Sequence, residues 1–437
     1  MKWILIGAFA ARAFAQPMAL SLEKAVEIAV APDGNLRLEI VRESVAQAAE
    51  REKQARAALL PQVDGSVSAA NQTRNLAAFG FQVRLPGVSI PPFVGPFTVV
   101  DYRASATQSI LDLASIRRLS AAKLQKQVAQ AEAQVARESA VAQTARLYTL
   151  ALRAEAAVSA AEANLKLAER LHGLALAQKE AGTGTGLEVT RAQSERENSR
   201  QRLLEARNRS RRALYELKRG IGLDLGQAIE LTSRVNDGSE AAPDEEETLR
   251  AALAHRAELL AQARRKSALE MQVKSIRAER FPSFVASGDY GSIGDGTSQL
   301  PTRSIGVGMR VPLFDGGRRE ARRAEVGIAV RQERLREDDL RAQVELEVRT
   351  SLDNWRTAKE QIAVARLGLQ LAEEELQHAE RRFAAGVAIN VELSDAQARL
   401  ERGRDNQLNA LYQFNLARID VAAAAGGIEE AVKGLSK

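Results

Sequence analysis

Leu165-Lys166-Leu167-Ala168-Glu169 returns in the second half of the chain as Leu369-Gln370-Leu371-Ala372-Glu373. At the same offset, Ala181-Gly182 matches Ala385-Gly386, and Leu187-Glu188-Val189 matches Val391-Glu392-Leu393. Self-similarity at a fixed spacing indicates a repeated structural unit. The sequence therefore predicts a tandem duplication, with repeats at 16–220 and 244–428, a connector at 221–243 and a C-terminal tail at 429–437.

Each repeat carries the same order of predicted elements, which is helix, strand, strand, long helix and return helix. The helices are predicted at 19–59, 113–180 and 187–219, and again at 244–280, 318–384 and 391–424. Period-two alternation bounded by proline and glycine predicts strands at about 62–75 and 97–111, and at about 283–292 and 303–314. The chain is thus predicted to be mainly α with a β contribution.

The predicted helix lengths indicate how the helices pack. At 1.5 Å per residue, each long helix extends for roughly 100 Å. The opening and return helices together are about as long as the long helix, so they would stack end to end beside it. Both return helices also carry residues spaced by three and four, which is typical of coiled-coil packing. These seams are Val189, Ala192, Arg196, Ser199, Leu203, Ala206, Ser210, Ala213 and Leu217, and Leu393, Ala396, Leu400, Gly403, Gln407, Ala410, Phe414, Ala417 and Val421.

The composition excludes several classes of protein. The chain has no cysteine, which excludes a disulfide framework, a thiolate metal site and a lipid-modified N-terminal cysteine. Its charge of +6 comes from interleaved Arg and Glu, which does not favour nucleic-acid binding. The three histidines are scattered, and Gly182–Gly186 lacks the Lys-Ser/Thr of a phosphate loop. We therefore expect no enzyme activity, cofactor or metal.

The N-terminus has the pattern of a secretory signal at 1–15, with a Lys, a short apolar run and Ala13-Phe14-Ala15 as the cleavage site. No other stretch approaches the 20 or so apolar residues of a transmembrane helix. Any membrane crossing must then use β-strands. Four strands cannot close a barrel around a channel, whereas three chains would supply about twelve strands, enough to close one.

The duplicated plan resembles the TolC family of outer-membrane efflux proteins over nearly the whole mature chain. The most specific motifs are Val311-Pro312-Leu313-Phe314-Asp315-Gly316-Gly317 at the strand-to-helix junction and Val391-Glu392-Leu393-Ser394-Asp395-Ala396-Gln397 after the second turn. The resemblance implies a trimer with a twelve-stranded transmembrane β-barrel continued by a twelve-helix periplasmic α-barrel. It places the connector in the equatorial region and Pro312, Asp315, Gly316 and Gly317 at the junction.

The resemblance also implies a function for the two helical turns. Glu392 and Asp395, with Glu188 in the first repeat, occupy the positions of an acidic ring that closes the periplasmic tip. A ring of carboxylates attracts cations. The alternative is that these acidic residues lie at helix N-termini only because the helix dipole stabilises them there. Where some members have a latching arginine, this chain has Ala388. The turns are the expected adaptor-docking surface, formed by Gly182, Gly184, Gly186, Gly386, Val387, Ala388 and Val391.

The expected function is that of an outer-membrane exit duct in a tripartite efflux or type I secretion system of a Gram-negative bacterium. The implied partners are two further copies, a periplasmic adaptor (membrane fusion) protein, an inner-membrane pump of the RND, ABC or MFS type, and outer-membrane lipid. The alternative is a periplasmic coiled-coil adaptor or scaffold, which would need no detergent. The apolar loop at 79–97 is either a lid or partner contact or, more simply, a long surface loop.

Overall fold

The computed structural model describes residues 17–32, 34–80, 84–85, 88–89, 93–233, 235–385, 387 and 390–435. The signal predicted at 1–15 and part of the loop at 79–97 lie outside this range. The helices are α1 (Leu22–Val30), α2 (Leu36–Ala57), α3 (Leu113–Glu180), α4 (Gly186–Ile221), α5 (Glu245–His255), α6 (Ala257–Ala278), α7 (Arg318–Ala384), α8 (Asn390–Ala425) and α9 (Ile428–Leu435). The strands are β1 (Met18–Leu20), β2 (Gln62–Asn75), β3 (Arg84–Leu85), β4 (Val88–Ser89), β5 (Phe93–Leu111), β6 (Ile229–Leu231), β7 (Ser283–Gly294) and β8 (Gln299–Arg310).

Several predicted elements are divided or shifted. The opening helix of the first repeat breaks into α1 and α2 around Pro32, whose ring removes a backbone donor. The opening helix of the second repeat breaks into α5 and α6 at Arg256, which has extended backbone angles. The last strand lies at 299–310 instead of about 303–314, so the junction motif around Pro312 follows it. The predicted tail contains α9.

A short parallel pair of strands was not predicted. Met18 pairs with Ile229 and Leu20 with Leu231, so the start of the first repeat joins the predicted connector. The Tyr148 hydroxyl fixes this pair because it donates to the Leu20 carbonyl over 2.7 Å and accepts from the Ser233 N–H over 3.1 Å. Three-residue strands carry too little alternation to be recognised in a sequence.

The chain divides into two compact units, and each unit draws on both sequence repeats. One comprises Ser44–Gln130 and Gln262–Arg336 and contains the large sheet. The other comprises Met1–Glu43, Ala131–Ala261 and Glu337–Lys437 and contains three apolar cores. In one of these cores the Trp355 and Phe414 rings lie 5.2 Å apart between α7 and α8. The apolar side chains of the helices thus pack in separate clusters instead of one central core.

The two predicted heptad seams are confirmed as the buried faces of α4 and α8. On α4, Ser199, Leu203, Ala206, Ser210 and Leu217 are buried. The buried seam residues of α8 are Leu393, Ala396, Leu400, Ala410, Phe414, Ala417 and Val421. Small side chains at many of these positions allow the helices to approach closely. Within the described part of the chain, no helix is long and apolar enough to cross a membrane.

Candidate functional site

The first helical turn joins α3 to α4 and is held by backbone hydrogen bonds. Gly182 has a φ of +76°, and its N–H donates to the Lys179 carbonyl over 3.0 Å. The next two N–H groups, of Thr183 and Gly184, donate to the Gln178 carbonyl over 2.9 and 3.0 Å. These bonds satisfy carbonyls that the helix end would otherwise leave free. Gly182 therefore ends α3 as a left-handed glycine cap.

The start of α4 shows what the carboxylate of Glu188 does. The Thr185 hydroxyl accepts from the Glu188 N–H over 3.3 Å, and the Glu188 carboxylate accepts from the Thr185 N–H over 2.7 Å. This reciprocal pair is a capping box, which holds the first turn of a helix. The Glu188 carboxylate therefore caps its own helix, as the simpler of the two interpretations of this residue predicts.

The second turn places an arginine against one of the predicted ring residues. The Nε of Arg382, in the last turn of α7, lies 2.9 Å from Oε1 of Glu392 in the first turn of α8. Val387 donates its N–H to the Arg382 carbonyl over 3.0 Å. Asp395 is exposed one turn further along α8. Gly386 and Ala388 lie outside the described residues.

The two hairpin ends are held together. Nε2 of Gln178 in α3 donates to the Phe383 carbonyl in α7 over 2.8 Å, and Arg170 pairs with Glu380 between the same helices. Phe383 itself is buried in a core. The core is formed by Leu167, Leu171, Ala372, Leu376, Ala379, Phe383, Leu393, Ala396 and Leu400. The described turn residues of both repeats therefore lie at the same end of one packed helix group.

This end also presents exposed apolar side chains. Leu187, Val387 and Val391 flank the two turns and are all exposed. A Cβ at Gly182 or Gly186 would have open space around it. At Gly184, by contrast, a Cβ would come within 3.0 Å of the Lys179 nitrogen. The end is thus a surface of small and apolar groups rimmed by charges, a composition that suits contact with a protein partner.

The strand-to-helix junctions of the two repeats are built alike. Asp112 caps α3 by accepting from the N–H groups of Ala114 and Ser115 over 2.9 and 3.1 Å. Burial acts to raise the pKa of Asp112, but the hydrogen bonds from Ser115 and Ala114 outweigh it and leave the pKa below its ordinary value.

At the second junction, Asp315 accepts from the N–H of Arg319 over 3.1 Å and from its Nε over 2.7 Å. The hydrogen bond from the Arg319 side chain lowers the pKa of Asp315. Gly316 and Gly317 both have positive φ angles, and the Pro312 carbonyl accepts from Arg319 over 3.5 Å. The motif predicted here therefore turns the chain from β8 into α7.

The large sheet has one apolar and one polar face. Its order is β2-β5-β7-β8, all antiparallel, with β2 and β8 at the edges. The register aligns Val63 with Ala106, Gly288 and Ile305, so these residues share a face. The exposed apolar side chains of this face are Val63, Val67, Tyr102, Tyr290, Ile305, Val307 and Met309, and Arg303 lies opposite Tyr290 on the same face. An exposed apolar surface of this extent marks contact with another apolar phase or partner.

The opposite face of the sheet carries charges. Asp64 aligns with Ser105, Asp289 and Ser304 on this face. Arg103 sits among them and binds Asp101 over 3.2 Å, Asp289 at short range and the Thr302 hydroxyl over 3.4 Å. One face thus suits lipid and the other suits water, as the alternation in the sequence predicts.

The described residues hold no group of three or more His, Asp or Glu side chains that could bind a metal ion. Two contacts at the candidate site were not predicted from the sequence. Arg382 bonds across the turn to Glu392, and Gln178 bonds between the hairpins. The signal for the first was the pair of arginines that closes α7, a basic helix end facing an acidic helix start.

Comparison with known proteins places these features in a family. The chain is similar to the alkaline protease secretion protein AprF of Pseudomonas aeruginosa, with 25% identity over 296 residues. That alignment covers 65% of this chain and 60% of AprF, so the matched region spans less than two thirds of the relative's length.

Solved structures show the same fold at low sequence identity. The CmeC outer membrane channel of Campylobacter jejuni matches with a TM-score of 0.75 and 19% identity, covering 95% of this chain and 89% of CmeC. The open-state MtrE outer membrane channel of Neisseria gonorrhoeae matches with a TM-score of 0.74 and 18% identity, covering 93% of this chain and 89% of MtrE. The VceC outer membrane protein of Vibrio cholerae matches with a TM-score of 0.74 and 20% identity, covering 93% of this chain and 96% of VceC.

The family model described as outer membrane efflux protein matches residues 31–223 and 248–427. These two segments contain most of the two predicted repeats and leave out most of the connector. The resemblance inferred from the sequence is confirmed, and the chain belongs to the outer membrane efflux protein family.

Proposed function

We propose that the protein is the outer-membrane exit duct of a tripartite efflux or type I secretion system. The observation that carries this proposal is the two-faced sheet, whose apolar side chains are exposed on one face while Arg103 and its carboxylate partners occupy the other. A strand wall of this kind separates lipid from water. Family membership and the relatives' names, which refer to efflux, secretion and outer membrane channels, support the same function.

The finer architecture follows from the sheet edges. β2 and β8 are the edge strands of the four-stranded sheet, and an open edge is not tolerated in lipid. Three chains that pair β8 of one copy with β2 of the next would close a wall of about twelve strands. The long helices would continue this barrel as a twelve-helix tunnel into the periplasm. The protein would then be a homotrimer of the outer membrane.

At the helix ends, Glu392 and Asp395, together with Glu188, form the proposed acidic ring, and the turns form the proposed adaptor-docking surface. A periplasmic adaptor and an inner-membrane pump would open this end, and the protein itself would be a passive conduit without enzyme activity. The exposed apolar groups at Leu187, Val387 and Val391 support a docked partner. Since the name of AprF refers to protease secretion, a protein cargo is as consistent with the family as a small molecule.

Two neighbouring residues of β8 offer a matched test. Ile305 is 89% exposed on the apolar face near the middle of the strand, and Ser304 lies on the opposite face. A lysine on a lipid-facing strand position costs about 2–4 kcal/mol near the bilayer midplane, whereas a lumen position costs little. We therefore expect Ile305→Lys, but not Ser304→Lys, to deplete assembled trimer from the outer membrane.

The measurement is the amount of heat-dissociable oligomer in outer-membrane extracts, followed by channel recording in planar bilayers. Equal assembly of both variants would show that the apolar face does not contact lipid. A purified wild-type chain that stays monomeric and dissolved without detergent would instead favour the periplasmic adaptor alternative.

A further inference from the structure

The apolar face of the large sheet carries a shallow groove over residues that lack bulky side chains. Ala104 and Ala106 of β5 and Gly288 of β7 form its floor, in two adjacent rows of the sheet. Taller side chains surround this floor, and they are Val63, Tyr290, Arg303 and Ile305. The groove has a volume of about 330 Å³, at the lower end of the roughly 300–1,000 Å³ of small-molecule sites. Its size and lining suit a stretch of a hydrocarbon chain.

Arg303 stands at one end of this groove without an anionic partner. Among the described residues, none forms a hydrogen bond or an ion pair with its guanidinium. The described strands of the sheet carry three carboxylates, those of Asp64, Asp101 and Asp289, and all three lie on the opposite face with Arg103. A guanidinium is weakly hydrated and binds carboxylate or phosphate through two parallel hydrogen bonds, so Arg303 is equipped to bind an anion.

Closure of the proposed trimer would not supply this anion. There β8 would pair with β2 of the next copy, and the carboxylate of β2 is that of Asp64, on the charged face. The segment 76–92 that follows β2 contains no Asp or Glu. In the turn between β7 and β8, Asp295 already accepts from the N–H groups of Thr297 and Ser298 over 2.9 and 2.7 Å. We therefore expect the anion to come from the surrounding lipid.

The position of Arg303 along β8 indicates which leaflet this lipid occupies. Exposed apolar side chains follow it toward α7, beginning with Ile305, whereas β8 begins only four residues before it, at Gln299. Tyr290 lies opposite Arg303, and Tyr102 lies one row nearer the hairpin end. Tyrosines on the lipid face of a barrel mark the border between hydrocarbon and headgroups. With the helices in the periplasm, Arg303 lies at the outer border, where a long side chain reaches the headgroups.

We propose that the groove and Arg303 together bind a phosphorylated glycolipid of the outer leaflet, the chemical class to which lipid A belongs. One acyl chain lies over Ala104, Ala106 and Gly288, and a phosphate binds the guanidinium of Arg303. The proposal rests on the proposed function, because it needs the apolar face of the sheet to contact the outer membrane. Chain and phosphate are held at adjacent points, so the site recognises both parts of one molecule, once per chain.

The test is titration of delipidated, detergent-solubilised protein with diphosphoryl lipid A or with phosphatidylglycerol, followed by native mass spectrometry. The wild type should bind diphosphoryl lipid A more tightly than phosphatidylglycerol. Arg303→Gln should weaken lipid A binding by about five- to tenfold, the effect of one contact with an anionic headgroup. Gly288→Leu should weaken it as well by filling the floor of the groove. A Cβ there meets its nearest atoms at 3.6 and 3.9 Å, so the backbone accepts the change.

The matched controls are Arg310→Gln and Gly306→Leu, which make the same changes on the charged face of β8. A Cβ at Gly306 would have open space around it. Both controls should bind lipid A as the wild type does.

Either test variant decides by itself, because Arg303→Gln removes the charge and Gly288→Leu removes the space. Wild-type affinity in either of them, in preparations that form channels, would overturn the proposal. Binding of phosphatidylglycerol as tight as that of lipid A would overturn the assignment to an outer-leaflet glycolipid. A wild type that forms neither heat-dissociable oligomer nor channels would refute the proposed function instead.

Discussion

The ion pair across the second turn predicts how charge at the hairpin ends controls ion selectivity. Arg382 and Glu392 lie 2.9 Å apart with side chains that are 55% and 41% exposed. A pair this exposed contributes about 0.2–1 kcal/mol, so its removal should hardly change stability. Removal of Arg382 should change the electrostatic potential at the turn much more than it changes stability. Arg382→Gln removes one positive charge per chain and three per proposed trimer. The carboxylate of Glu392 is then left uncompensated.

We expect Arg382→Gln to increase the preference for cations and Glu392→Gln to decrease it by a comparable amount, since each removes one unit charge from the same contact. Asp395→Asn should act in the same direction as Glu392→Gln. The assay is the reversal potential of single channels under a KCl gradient near physiological ionic strength, where a Debye length of about 8 Å limits each charge to its own end of the helix. The same recordings should show weaker block by divalent cations after Glu392 and Asp395 are replaced.

Arg207→Gln is the matched control for this experiment. It removes the same charge from α4, at a position about 30 Å along the helix from the turn, which is several Debye lengths away at physiological salt. Its reversal potential should equal that of the wild type. If Arg382→Gln and Glu392→Gln leave the reversal potential unchanged in channels of normal conductance, the hairpin ends do not set selectivity, and the acidic-ring interpretation is wrong.

Two further predictions concern stability. Gly182 and Gly222 both have left-handed backbones, for which a Cβ costs roughly 1–2 kcal/mol. A Cβ at Gly222 would also lie 1.4 Å from the Gly34 carbonyl oxygen, so Gly222→Ala should lower the melting temperature in detergent far more than Gly182→Ala, and equal losses would argue against this close approach. The lowered pKa values of Asp112 and Asp315 stabilise the fold above the ordinary aspartate pKa of about 3.9, and this stabilisation is lost as the pH falls through the folded values. Asp315→Asn should therefore lower the melting temperature at pH 7, and the difference from the wild type should shrink in acid, whereas a constant difference would contradict the capping role.

The sequence predicts periodic features of this fold well and isolated contacts poorly. The seams through Leu203 on α4 and through Leu400 on α8 are buried as expected, because heptad spacing alone decides which helix face packs. The alternation around Ile305 gives the two faces of the sheet for the same reason. Periodicity could not predict the break between α5 and α6 at Arg256. The Arg256 guanidinium binds Glu258 and Glu347, and Glu347 lies on α7, far away in sequence.

The candidate site divides in the same way. Its place at the turns follows from the glycines and the duplicated motif, and Gly182 has a left-handed backbone that favours glycine. The partners of the acidic residues did not follow. Glu188 closes a capping box, and Glu392 pairs with an arginine on the neighbouring helix. Such pairings depend on how far each helix extends before its turn, a boundary that local pattern fixes only to within a few residues.

The pairing of β5 with β7 joins the ribbon of the first repeat to that of the second inside a single chain. In an unduplicated ancestor this strand pairing would lie between separate molecules, and every hairpin would carry an identical loop. A duplicated chain would let the two loops differ, because each would be encoded separately. The first hairpin now keeps a long excursion between Asn75 and Phe93, while the second reverses within the few residues between Gly294 and Gln299. In the proposed trimer, long and short loops would alternate around the mouth, and their lengths could change without altering the strands that carry them.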